Sequence, residues 1–269
     1  KTLNISSRVA VTTIIITCLS LKVTELLRFP NAIHAFSWFP WVLYGINLAT
    51  FDIYKKRYFL IIFFACLMLF TAGYPYYIFY GFILFSLYFC FLLIFHVKEK
   101  IFFNDRFRII SNKKFFLNCL YPSILSVLIS APWLIKVSQL MSITNGRDKL
   151  DINFSLSGSG NIYDQIGSWI YPPYAVSEGW FYFGAIAVFI IITILAYTFF
   201  IKKKNSEINY KLKYFLIFFL SLTVITYQFS NPVNSLIFQH IWNNLDFIAN
   251  FRFWVRINII FVPIIAVVL

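Results

Sequence analysis

Arg252 and Arg256 are separated by four positions in the run Asn250-Phe251-Arg252-Phe253-Trp254-Val255-Arg256, directly before an apolar stretch. On an α-helix that spacing puts both on one face. Two guanidiniums side by side can clamp a phosphate or diphosphate through paired hydrogen bonds. The same residues at a helix end can instead snorkel to lipid headgroups, and both readings stand. Arg28 and His34 flank Pro30. His34 can act as an acid or base, or serve as a hydrogen-bonded residue of an interface. Asp148, Asp151 and Asp164 lie in one polar stretch, where a carboxylate can act as a base or hold a divalent metal through oxygen ligands. Solvated loop charge is the plainer reading. The spacing Asp148-Lys149-Leu150-Asp151 matches no metal motif, so no metal site is assigned and a divalent ion stays open. Glu178, before Gly179 and Trp180, suits the N-terminal end of a helix.

The elements that must position these residues are unusual for a water-soluble protein. Of 269 residues, 60% are hydrophobic and 12% charged, against about 25% charged in an ordinary soluble domain. Apolar runs approach or exceed the ~20 residues that cross a bilayer. They lack the period-2 alternation of barrel strands, so they are read as helices, which satisfy their own backbone in lipid. The expected fold is all-α, a polytopic transmembrane bundle forming a single domain over 1–269. About eight spans are placed at Val9 to Leu21, Ala35 to Phe51, Tyr58 to Ala72, Pro75 to Phe95, Phe115 to Ile135, Trp180 to Ile201, Tyr214 to Phe229 and Ile257 onward. Gly73 and Pro75 divide the third from the fourth, with Tyr74 as the turn.

The net charge of +13 would suggest nucleic acid in a soluble protein. Here the basic residues fall between apolar runs, so membrane lipid is the expected partner and nucleic acid is not. With the first span running outward, the inward connections 1–8, 52–57, 96–114 and 202–213 hold 16 of the 23 basic residues. The opposite connections, 22–34, 73–75, 136–179 and 230–256, hold the other seven, and the positive-inside rule places them outside the cytoplasm. The long loop 136–179 carries Trp169, Tyr171 and Tyr174, and loops of that length are often lids or binding loops. Cys18, Cys66, Cys90 and Cys119 lie in or beside apolar runs without ligand spacing and read as small apolar fillers. A chain that begins at Lys1 and stops within an apolar run is expected to be a fragment of a longer protein.

All seven tryptophans, Trp38, Trp41, Trp133, Trp169, Trp180, Trp242 and Trp254, fall at or near the outward side in this arrangement. Aromatic belts form at both interfaces, so a one-sided set suggests more than anchoring. An aromatic cavity suits a ligand with an apolar face and polar edges, such as a sugar ring or a polyprenyl-linked sugar. Core and belt packing is the competing role for each Trp taken singly.

Three stretches carry a family resemblance. Leu27-Arg28-Phe29-Pro30-Asn31-Ala32-Ile33-His34-Ala35-Phe36-Ser37-Trp38-Phe39-Pro40-Trp41 resembles the segment of YfhO-like bacterial membrane glycosyltransferases in which a Pro-Trp pair opens a span. Thr71-Ala72-Gly73-Tyr74-Pro75 is similar to that family's Thr-Gly-His-Pro turn, with Tyr74 where the family has His. Phe251-Arg252-Phe253 to Arg256 resembles its late Phe-Arg-x-Pro-x-Arg element. The three occur in the family's order along most of the chain.

The resemblance implies a GT-C-like fold in a bacterial inner membrane. It also implies transfer of a sugar from a polyprenyl-phosphate carrier on the outer face, in building or modifying cell-envelope glycans. It implies substrate contacts from Arg252, Arg256, Arg28, Tyr74, Trp169 and Trp254. His34, Asp148, Asp151 and Asp164 are the candidates for a catalytic role, and the class's usual carboxylate would precede residue 1. Two other functions suit the same features: a transporter or flippase for lipid-linked glycans, and a non-catalytic membrane scaffold subunit.

Overall fold

The computed structural model describes residues 11, 15, 29–51, 55–96, 110–143, 188–189, 192–193, 196, 207–245 and 254–268. Every regular element among these residues is helical and none is a strand, as the apolar runs require. Contacts cluster into two compact units, where one domain is expected over 1–269. The first comprises residues 1–12, 26–137 and 203–218, the second 13–25, 138–202 and 219–269.

In the first unit, α1 (Pro30–Ser37) and α2 (Phe39–Ala49) are separated at Trp38. Pro40 is the cause: it has no N–H to give the preceding turn, and its ring crowds that turn. Pro30 occupies the first turn of α1, where a missing N–H is harmless. The second expected span therefore starts earlier than Ala35 and is broken in two. α2 packs along α3 (Lys55–Thr71), and Gly45 sets the closeness. A Cβ there would stand 2.6 Å from Ile62 Cγ1.

α3 and α4 (Pro75–Phe91) form the expected hairpin. Gly73 takes φ +72°, a left-handed conformation that glycine adopts without strain. Tyr74 precedes Pro75, which opens α4. Gly81 leaves room for the Phe39 ring, whose nearest atom would lie 3.1 Å from a Cβ. α4 closes in a π-helical turn at Leu92–His96.

α5 (Asn112–Ile143) is the longest described element, 32 residues. Ser111 caps it, its Oγ accepting from Lys114 N at 3.4 Å. Pro122 and Pro132 lie inside it. Ser123, Ser126 and Ser130 turn back onto the backbone nearby, donating to Cys119 O, Ser123 O and Ser126 O at 2.7–2.8 Å. The helix thus takes in the first eight residues, Lys136 to Ile143, of the expected outer loop. Polar Lys136, Ser138 and Gln139 end the apolar run but not the helix, because nothing from Leu134 to Thr144 breaks a helix as Gly146 can.

α6 (Glu207–Ser230) contains the seventh expected span. Where an outer connection is expected over 230–256, the second unit places a 3₁₀ turn at Pro232–Asn234 and α7 (Leu236–Asn244). Ser235 caps α7 by accepting from Phe238 N at 3.0 Å. A 3₁₀ helix, Trp254–Ile260, leads into α8 (Phe261–Val268). The expected spans Val9 to Leu21 and Trp180 to Ile201 fall mostly outside the described residues. Two described helices are long and apolar enough to cross a membrane, over Pro75–Ile94 and Asn112–Leu140.

Candidate functional site

Arg28, Asp148, Asp151, Asp164, Trp169 and Arg252 lie outside the described residues. His34 is exposed on α1, its ring 6.5 Å from that of Trp38. Among the described residues no three His, Cys, Asp or Glu side chains gather as a metal site would need.

In the first unit the hairpin tip is aromatic. The Tyr74 ring lies 5.7 Å from Tyr76 and 5.0 Å from Tyr77, and Tyr77 lies 6.0 Å from Tyr80. Phe39 joins Tyr77 at 6.3 Å. Trp133 of α5 closes over the turn, 3.7 Å from where a Gly73 Cβ would be. Tyr74 is half-buried and so keeps part of its surface open. Tyr77 and Tyr80 are buried and fix the hairpin. The apolar edges of these rings do the packing, in the tilted geometries that aromatic pairs favour.

In the second unit the end of α6 carries a compact group of amides and hydroxyls. Asn231 Nδ2 donates to the Tyr227 hydroxyl at 2.7 Å, and Ser235 Oγ donates to Gln228 Oε1 at 2.7 Å. Asn231 and Ser235 are buried, and Asn258 of the 3₁₀ helix is fully buried. The pattern was legible only as polar residues clustered around Pro232 at a span end. Sequence reasoning passed over all five because none is charged.

Trp254 is enclosed. It stacks on Phe229 at 5.7 Å and meets Phe238 edge-on at 5.0 Å, so its role here is packing, and its ring presents no face to a ligand. Arg256, two residues on, is half-buried among fully buried Ile257, Asn258, Ile259 and Ile260. The expected common face with Arg252 assumed α-helical spacing. From Trp254 the helix is 3₁₀, in which residues three apart eclipse. Ile259, not a residue four away, is in line with Arg256. A shared phosphate clamp would therefore depend on the backbone before Trp254.

No family model matches the chain, and no curated protein or solved structure matches it.

Proposed function

We propose that the chain is part of a multi-pass membrane glycosyltransferase, with about eight spans and a GT-C-like arrangement, that uses a polyprenyl-phosphate-linked sugar at the extracytoplasmic face. The membrane reading is supported by how little of the two long helices is covered: 33% of the apolar window of α4 with its π turn, and 28% of that of α5, is buried. A core helix of a soluble protein would be mostly enclosed. Lys114 and Lys136 are exposed on α5, 22 positions apart. At 1.5 Å per residue they stand about 33 Å apart, close to the ~30 Å hydrocarbon thickness. Two cations marking the two surfaces fit a helix that crosses.

The single observation behind the substrate class is Arg256: a half-buried cation in a stretch of chain whose next four residues, Ile257 to Ile260, are fully buried, at the outer end of the last span in the expected orientation. Charge held at such depth is usually functional, and a lipid-linked phosphate reaches that depth by its own anchor. The order of the three motifs adds the sugar transfer. In that reaction the acceptor hydroxyl gives up its proton to a base as the phosphate leaves, and Arg256 with Arg252 would bind the departing charge.

The test is binding of a polyprenyl-phosphate hexose to the full-length protein in nanodiscs. Arg256→Ala and Arg252→Ala should each weaken binding at least tenfold, and Arg256→Lys should retain part of it because charge is kept while the planar fork is lost. Unchanged binding in both alanine variants refutes the phosphate assignment.

A further inference from the structure

We propose that α7 is an interfacial helix whose first turn is sunk in the outer leaflet at the glycerol and upper acyl depth, while its last turn stands in water. The proposal rests on the membrane reading above and adds a lipid contact in what the sequence presents as a plain outer connection.

The depth follows from α6. Between Lys213 and Ser230 the helix climbs 17 residues, about 25 Å, so Ser230 is near the far surface if Lys213 marks the near one. The chain turns at once through Asn231–Ser235 into α7. The core face of α7 is held at that level: Phe238 lies 6.3 Å from Phe229 of α6 and 5.0 Å from Trp254, and Trp242 follows at 5.7 Å from Phe238.

The opposite side is uncovered and graded along the axis. At its start Leu236 is 82% exposed, Ile237 54% and Val233, in the preceding 3₁₀ turn, 46%. One to two turns later the exposed residues are His240, Asn243 and Asn244, with Leu245 at the C-cap 43% exposed. On α6, which leads into this turn, Leu220 and Val224 are also exposed. No Lys, Arg, Asp or Glu occurs from Ser230 to Leu245. A surface that is apolar, uncharged and directly after the end of a span fits acyl chains. Insertion driven by area alone, with no cationic face, is independent of lipid charge.

The experiment inserts an environment-sensitive fluorescent amino acid at position 236, 237 or 243, or at 128 on α5 as a reference, in the full-length protein in phosphatidylcholine vesicles. Quenching by brominated acyl chains is compared with quenching by aqueous iodide. Positions 236 and 237 should show blue-shifted emission, quenched by the brominated lipid at least threefold more than position 243. Position 243 should be quenched by iodide. Adding phosphatidylglycerol should leave the pattern unchanged. If 236 and 237 match 243 in iodide quenching while 128 stays in lipid, the interfacial assignment is wrong and the membrane reading survives. If 128 is also open to iodide, the membrane reading fails. Shielding of 236 and 237 from both quenchers indicates a protein cover and overturns the lipid assignment, as does insertion that requires the anionic lipid.

Discussion

Replacing Gly45 with alanine puts the closest helix contact of the first unit under direct test. The new Cβ would stand 2.6 Å from Ile62 Cγ1, 3.2 Å from Ile61 Cγ2 and 3.3 Å from the Ile62 backbone nitrogen. Ile62 is buried and has no open side to swing into, and one of the three contacts is backbone. Reaching an ordinary separation therefore needs α2 and α3 to part by about 1 Å at this point. Overfilling a packed site costs about 1–3 kcal/mol. The greater helix propensity of alanine returns about 0.5–1 kcal/mol. The net expectation is a loss of about 1–2 kcal/mol, or roughly a 5- to 30-fold fall in the folded-to-unfolded ratio. Equilibrium unfolding of the purified protein in mixed detergent micelles reads it directly. Ile62→Ala alone should lose about 2–5 kcal/mol by leaving a cavity. The double variant should be more stable than the sum predicts by about 1 kcal/mol, because the new methyl partly fills that cavity. Rescue is incomplete since the backbone nitrogen stays where it was. A Gly45→Ala protein as stable as the parent, or a strictly additive pair, refutes the close-packing argument.

Tyr58→Phe removes the donor to Asn118 Oδ1, 2.7 Å away, and should lower stability by about 0.6–2 kcal/mol in the same assay, the range for interhelical hydrogen bonds in membranes. Gly73→Ala should lose about 1 kcal/mol from its φ of +72° alone, since Trp133 at 3.7 Å is only in ordinary contact; Gly73→Asn should lose less. Trp254→Ala should lose about 3–5 kcal/mol, as expected for a ring enclosed by Phe229 and Phe238. Cysteines placed at Lys114 and Lys136 should react with an impermeant thiol reagent only from the cytoplasmic and only from the outer side, respectively; the reverse pattern inverts the proposed orientation.

The helices were legible because long apolar runs admit little else, and the α3–α4 turn because Gly73 and Pro75 are direct backbone instructions. Less legible was where helices end. Apolar composition marks contact with lipid, whereas a helix stops only at a cap or breaker, so α5 overran Lys136 and α7 went unseen between Pro232 and Asn244. Candidate site residues were chosen by charge and aromaticity. That choice gave Trp254 a ligand where its surroundings give it a core. It also overlooked Tyr227, Gln228, Asn231 and Ser235, whose significance comes from mutual hydrogen bonding that no spacing rule encodes. The 3₁₀ winding at Trp254 escaped for a related reason: residue types that favour a helix do not distinguish a 3.0 from a 3.6 period.

Directional hydrogen bonds hold one end of the first unit, and they bear on where a ligand can enter under the proposed function. At the end assigned to the cytoplasm, Tyr58 donates to Asn118, Asn118 Nδ2 donates to Ala49 O at 3.2 Å, Tyr88 donates to Asn47 Oδ1 at 2.7 Å, and Ile110 N donates to Thr50 O at 3.2 Å. These bonds tie α2, α3, α4 and α5 together and depend on direction and distance, and in a water-poor setting each broken one leaves a polar group stranded. At the opposite end the described contacts across the hairpin tip are ring against ring, from Phe39 to Tyr77 and from Tyr74 to its neighbours. Aromatic pairs tolerate a range of separations and tilts at little loss. Under the proposed function, a substrate entering at the hairpin tip would meet aromatic rings, whereas entry at the other end would have to break these hydrogen bonds.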